Sequence, residues 1–167
     1  MSYKVELVPA VTEDKETVKG LFHYYIYEMS DFLNLSPSQS GKFEFPQGII
    51  DSYWSSDDHF PFLVLCNGEI AGFSLLRRYP PDKSWFDIGQ FFVLKKFKGQ
   101  GVGRKAFELS VSKFPGRWIT RVLTKNKKAL AFWTSVIGKT TKNNFVLKRE
   151  VDVDLEMDFF RYTITSS

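Results

Sequence analysis

The chain has 167 residues, one cysteine and a formal net charge of +4, with 43% hydrophobic, 25% charged and 17% aromatic residues. That length buries the core of one domain without disulfide staples, so a single domain over 1–167 is expected. A lone cysteine excludes an intramolecular disulfide, and no apolar run approaches the roughly 20 residues that a membrane span requires.

The N-terminal "MSYKVELVPA" lacks the apolar region of a signal peptide, and the unpaired Cys66 suits a reducing compartment, so the expected location is cytoplasmic. "YKVELVP" reads as a first strand. Thr12 is the expected N-cap of a helix with Glu13 and Asp14 in its first turn. Val18, Leu21, Phe22, Tyr25, Ile26, Met29 and Leu33 then fall on one helical face. Residues 34–46 carry Pro, Ser and Gly and read as a loop, followed by a short helix around 47–55. The period then changes to that of strands. "FPFLVLC", "IAGFSLLRRY" and "WFDIGQFFVL", separated by "NGE" and "PPDK", predict an antiparallel meander, with Cys66 a buried, inert thiol.

Helical spacing returns over 101–114 through Val102, Ala106, Leu109 and Val111, and Pro115-Gly116 ends it. "RWITRVL" is a strand and 127–137 a helix closed by Gly138. "FVLKREVDVDLEMDFFRYTI" supplies one or two last strands, in which Val151, Val153, Leu155 and Met157 point inward while Asp152, Asp154, Glu156 and Asp158 face solvent. This order predicts a mixed sheet with helices on both faces.

The stretch "FKGQGVGRKA" lies between a strand and a helix. A helix N-terminus presents unpaired N–H groups and about half a positive charge. Gly99, Gly101 and Gly103 let an anion approach them without meeting a Cβ, and Lys98 and Arg104 place cations at the rim. A plain strand-to-helix turn with solvated lysines would use the same residues. A Walker loop is excluded because no Gly-Lys-Ser/Thr opens the helix. Gly101, Gly103 and Ala106 satisfy the dinucleotide pattern G-x-G-x-x-A, but the next strand ends in the basic "RVLTKNKK" where that fold needs an acid. Lys95, Lys96, Lys105, Lys125, Lys127 and Lys128 cluster around this stretch instead of forming a track, which points to a local anion site and no nucleic acid.

With "FFVLKKFKGQGVGRKA" and "NKKALAFW" the sequence resembles the GCN5-related N-acetyltransferase (GNAT) superfamily, from the first strand to about residue 138. The loop fits that family's R/Q-x-x-G-x-G/A motif with Lys in the first place, starting at Lys98 or Lys96. Asn126, Ala129, Phe132 and Trp133 fit its N-x-x-A-x-x-F-Y pattern with Trp for Tyr. The resemblance implies the GNAT fold, a mixed, mostly antiparallel six- to seven-stranded sheet flanked by helices on both faces. It implies acetyl-CoA as cofactor, its diphosphate on Lys98, Gly99, Gln100, Gly101, Val102, Gly103 and Arg104. The pantetheine and acetyl oxygen would lie on the backbone of Phe91, Phe92 and Val93, with Asn126, Ala129, Phe132 and Trp133 beside the arm.

The implied reaction is acetyl transfer to a primary amine of a small molecule, a lysine or a peptide N-terminus. Many members place a Glu base on this strand, but here Gln90 stands near that place and cannot accept a proton. Asp87, three residues earlier, falls on the opposite pleat unless a bulge intervenes. Glu28 and His59 are the other candidate bases, each also readable as a surface or structural residue. Trp133 can hydrogen-bond a departing thiolate but does not readily yield its proton. The acceptor pocket of the fold draws on the first helix, its following loop and the later strands. The candidates from the first helix and the short helix after the loop are Tyr24, Tyr27, Glu28, Tyr53 and Trp54. The acidic row at 152–158 reads as a solvated face or as a rim for a cationic acceptor. Homodimers are common in the family and no membrane partner is implied. Missing both the Glu and the Tyr leaves open a non-catalytic acetyl-CoA-binding module.

Overall fold

In the computed structural model, which describes residues 3–166, the chain runs β1 (Val5–Pro9), α1 (Lys15–Leu33), α2 (Gly48–Ser55), β2 (His59–Cys66), β3 (Glu69–Arg78), β4 (Phe86–Val93), α3 (Val102–Ser112), β5 (Gly116–Leu123), α4 (Lys127–Thr141), β6 (Phe145–Asp152) and β7 (Leu155–Ile164). The limits of the expected single domain, residues 1, 2 and 167, lie outside the described residues. The seven strands form one sheet in the order β1-β2-β3-β4-β5-β7-β6. Each neighbouring pair is antiparallel except β4–β5. This is the mixed, mostly antiparallel sheet expected.

Two helices cover each face, because alternate strand positions are apolar on both sides. Val18, Leu21 and Phe22 of α1 and Ile50 and Tyr53 of α2 pack on Leu63, Phe73, Leu75 and Phe92. Phe107 of α3 and Trp133, Val136 and Ile137 of α4 pack on Phe86, Ile88, Trp118, Val122 and Phe160 of the opposite face. Each such side chain stabilises the fold by about 1.5–3 kcal/mol when fully buried. Among the described residues, no helix is long and apolar enough to cross a membrane.

Three expectations need correction. Thr12 does not cap α1. It lies in a short 3-10 turn, Thr12–Asp14, and the side chain of Asp14 reaches back to accept the Val11 N–H at 2.9 Å. Gly138 does not end α4, which continues to Thr141 and stops where Lys142 turns left-handed at φ 54°. A Cβ at Gly138 would lie 2.8 Å from Asn143 Oδ1, so this glycine makes room for the chain returning toward β6.

The third concerns the acidic row. A two-residue turn at Val153 (φ 45°) and Asp154 (φ 66°) divides it into two strands and resets the pleat. Val151, Val153 and Leu155 are consequently exposed, while Asp158 is buried against Arg149 and Asp152 is bound by Arg121. Asp154 and Glu156 are exposed and Met157 is half-buried, as the alternation predicts, so the departure lies in Val151, Val153, Leu155, Asp152 and Asp158.

Candidate active site

β4 and β5 pair at only two positions, Phe86 with Trp118 and Asp87 with Ile119. Beyond them β4 continues to Val93 with β3 on one side only, leaving a gap on the other. Main-chain groups alternate between the two edges of a strand. Leu94 N–H donates to Ala71 O of β3 at 2.8 Å, and the Phe92 carbonyl is turned to Gly72 so closely that a Cβ there would collide with it. The same alternation turns the N–H groups of Phe91 and Val93 into the gap. Of the three residues expected there, Phe92 therefore faces the neighbouring strand.

A bulge shapes this segment. Leu75 pairs with Gln90 and Leu76 with Ile88, so Gly89 is left over. A Cβ at Gly89 would collide with the Tyr53 hydroxyl, which explains the glycine. The extra residue brings Asp87 and Gln90 onto one face of the sheet, the face covered by α1 and α2. The Phe91 ring points to the other face, against Phe132 and Trp133 with centroids 6.2 and 5.1 Å away.

A short 3-10 turn, Lys95–Phe97, leads from β4 into the glycine stretch. Gly99 (φ 77°) and Gly101 (φ 79°) both adopt the left-handed conformation that Cβ-bearing residues avoid. Gly103 has a different reason. Its Cβ would sit 3.1 Å from the Phe132 ring, so it is small to let α3 and α4 approach. None of the N–H groups from Gly99 to Arg104 donates to a protein acceptor among the described residues, and Lys105 N–H, to Gly101 O at 3.0 Å, is the first that does. These donors stand at the positive end of α3, an arrangement chemically suited to an anion. Its rim lysines carry carboxylate partners: Lys98 lies 3.3 Å from Glu28 and Lys96 2.6 Å from Glu69.

On α4, Asn126 is the N-cap, its Oδ1 accepting Ala129 N–H at 3.1 Å. Ala129 and Phe132 pack at the edge of the α3/α4 core, and Trp133 is 8% exposed, edge-on to Phe91, Phe107 and Phe132. The phenylalanine and tryptophan so placed wall the gap on that face.

The structure does not bring the five expected acceptor residues together. Tyr24 and Tyr27 are 61% and 63% exposed. Glu28 is engaged by Lys98, Tyr53 is buried with its hydroxyl donating to Leu75 O at 3.4 Å, and the Trp54 indole donates to Ala10 O at 2.9 Å. Two tyrosines outside that set lie on or against the strands of this region. Tyr25 packs edge-on against Phe73 and Phe92, and burial pushes its phenol up to about 12 against the pull of Arg121. Burial also raises Tyr79, whose ring stands 5.7 Å from the Arg121 guanidinium.

Asp87 is fully buried and its Oδ2 accepts from Arg77 Nε at 2.9 Å and Arg121 Nη2 at 3.0 Å, while Oδ1 is sealed without a protein partner among the described residues. Burial disfavours the charged Arg121, but the carboxylates of Asp87 and Asp152 outweigh it and hold this guanidinium above the usual arginine range. A signal for this network was present: Arg77 and Arg121 interrupt the inward pleat of otherwise apolar strands, and such charges require a buried acid.

A family model described as the acetyltransferase (GNAT) family matches residues 25–138. No curated protein matches the sequence. Among solved structures, an acetyltransferase of Thermus thermophilus superposes with a TM-score of 0.65 at 15% identity, over 96% of this chain and 97% of that one. The Salmonella typhimurium protein yncA, solved with its cofactor acetyl-CoA, gives 0.63 at 11% identity over 98% and 95%. Arabidopsis thaliana NAA60, solved with a bisubstrate analogue, gives 0.64 at 13% identity over 98% and 100%. At these identities the structural likeness is one of fold.

Proposed function

The chain belongs to the acetyltransferase (GNAT) family, and from that premise we propose that it transfers an acetyl group from acetyl-CoA to a primary amine, by direct attack in a ternary complex. One observation carries this reading. Two rows of unpaired main-chain donors adjoin each other, the gap-facing edge of β4 beyond Asp87 and the N–H groups of Gly99–Arg104. The second row would hold the diphosphate and the first the amide-bearing pantetheine arm, so the residues present fit the coenzyme. Bound acetyl-CoA supplies an acyl carbon activated as a thioester.

The chain's own residues do the rest. The N–H of Phe91 or Val93 would polarise the acetyl carbonyl, a contribution of about 3 kcal/mol to the transition state when the donor is fixed. Trp133, Phe132 and Phe91 exclude water from one side. The Trp133 indole would donate a hydrogen bond to sulfur without giving up a proton. On the acceptor side Gln90 orients by hydrogen bonding, and Asp87, sealed under two guanidinium groups, does not reach solvent.

With no base at this place on β4, water takes the proton of the amine in this reading. An α-amine of pKa about 7.8 costs roughly 1 kcal/mol to neutralise at pH 7, whereas a lysine amine of pKa about 10.4 costs roughly 4.6. Peptide N-termini and other weakly basic amines are therefore the favoured acceptors.

An amine panel assayed for CoA release, with mass spectrometry of the product, tests the proposal. N-acetylated product is the expected result. Tight acetyl-CoA binding with no product across the panel would instead establish the second reading, a non-catalytic binding module, which the lack of an ionisable base at Gln90 favours.

A further inference from the structure

The point where the sheet opens is bridged by one side chain. Asp87 and Ile119 form the last β4–β5 pair. Arg121 lies two residues beyond Ile119, where the strands no longer pair, and its Nη2 reaches back across the opening to Asp87 Oδ2 at 3.0 Å. Its Nη1 reaches the other way, to Asp152 Oδ2 at 2.7 Å, beside the β6–β7 turn. Arg77 of β3 holds the same Asp87 oxygen at 2.9 Å. Side-chain bonds thus take over where the main-chain ladder stops.

A buried ion pair adds little net stability over apolar packing of the same volume, so its value here is geometric. A planar guanidinium with donors on two edges holds two carboxylates at a fixed separation, which a lysine ammonium does not. We propose that Arg121 is a positioning residue. It sets how far β5 stands from β4, hence the width of the gap, and ties that gap to the β6–β7 hairpin, so that filling the one steadies the other. The inference rests on the proposed function only for the identity of the ligand.

The test titrates the full chain with CoA by calorimetry and follows amide hydrogen exchange in the hairpin. In the wild type, CoA should slow exchange around residues 150–156. Arg121→Met should raise the dissociation constant about tenfold, within the usual range of coupling between sites, and abolish the slowing. Arg121→Lys should recover thermal stability without recovering the slowing. Asp152→Asn should bind CoA within about twofold of wild type and still lose the slowing.

Wild-type CoA affinity in Arg121→Met, or hairpin protection retained in Asp152→Asn, overturns the inference, as does a wild type that binds CoA with no change in the hairpin. Should Arg121→Met fail to fold, Asp152→Asn carries the test alone. A wild type that does not bind CoA overturns the proposed function as well, and that result differs from binding without coupling.

Discussion

Replacing Gly101 by alanine tests the proposed anion cradle most directly. Gly101 sits at φ 79° and ψ 3° as the residue before α3. A Cβ there would have Arg104 Nη2 as its nearest neighbour, at the ordinary contact distance of 3.5 Å, so no clash is added to the backbone term. The left-handed conformation costs a residue with a Cβ about 1–2 kcal/mol. Gly101→Ala therefore either keeps the loop and loses that stability or relaxes it and re-aims the donors. The sum of the two losses is fixed.

At about 2–4 °C of melting temperature per kcal/mol for a chain this long, the first route lowers Tm by roughly 2–8 °C. The second raises the dissociation constant for CoA roughly 5- to 30-fold. Calorimetric titration beside thermal melting reads both. Gly101→Asn should recover part of the loss, because asparagine tolerates this conformation. Gly103→Ala is the contrast: its new methyl presses on Phe132, so stability should move more than affinity. Wild-type Tm together with wild-type affinity in Gly101→Ala would refute the reasoning.

Gly72→Ala drives a methyl into the Phe92 carbonyl of the adjacent strand and should cost about 1–3 kcal/mol in a urea titration. Trp133→Leu should lower the acetylation rate measurably, and unchanged rate and acetyl-CoA affinity would dismiss the indole from any role at sulfur. Acetylation of an α-amine peptide should exceed that of a lysine side chain at pH 7, with the difference narrowing toward pH 10 as the lysine amine deprotonates. The Arg161 guanidinium, hydrogen-bonded to Glu150, holds that carboxyl below its usual range. Its contribution is present above the unfolded pKa of about 4.3 and lost as pH falls through the lower folded value, so Arg161→Met should flatten the acid limb of stability by less than about 1 kcal/mol.

Helices and strands with one apolar face were legible in the sequence, as were the two glycines held at positive φ before α3, because local periodicity and backbone sterics fix them. What local spacing cannot encode is register. The bulge at Gly89 inserts one residue and so brings Asp87 and Gln90 to one face, a consequence visible only once β3 is laid beside β4. The turn at Val153-Asp154 escaped for a related reason. Asp154 tolerates the left-handed region, but the β-branched Val153 ordinarily avoids it. No glycine or asparagine marks the turn, so the alternation of valines and aspartates reads as one continuous strand. Tyr25 reads as core from its helical position, and its ring does pack there, but helical spacing says nothing of Arg121 across the sheet.

The two-position seam between β4 and β5 has a mechanical consequence. It divides the molecule into halves of four and three strands, and elsewhere in the sheet every junction is a longer antiparallel ladder. Under tension applied across the halves, rupture begins at this seam, and a molecule wedged into the opening would raise or lower the breaking force according to whether it glues the edges or pries them apart.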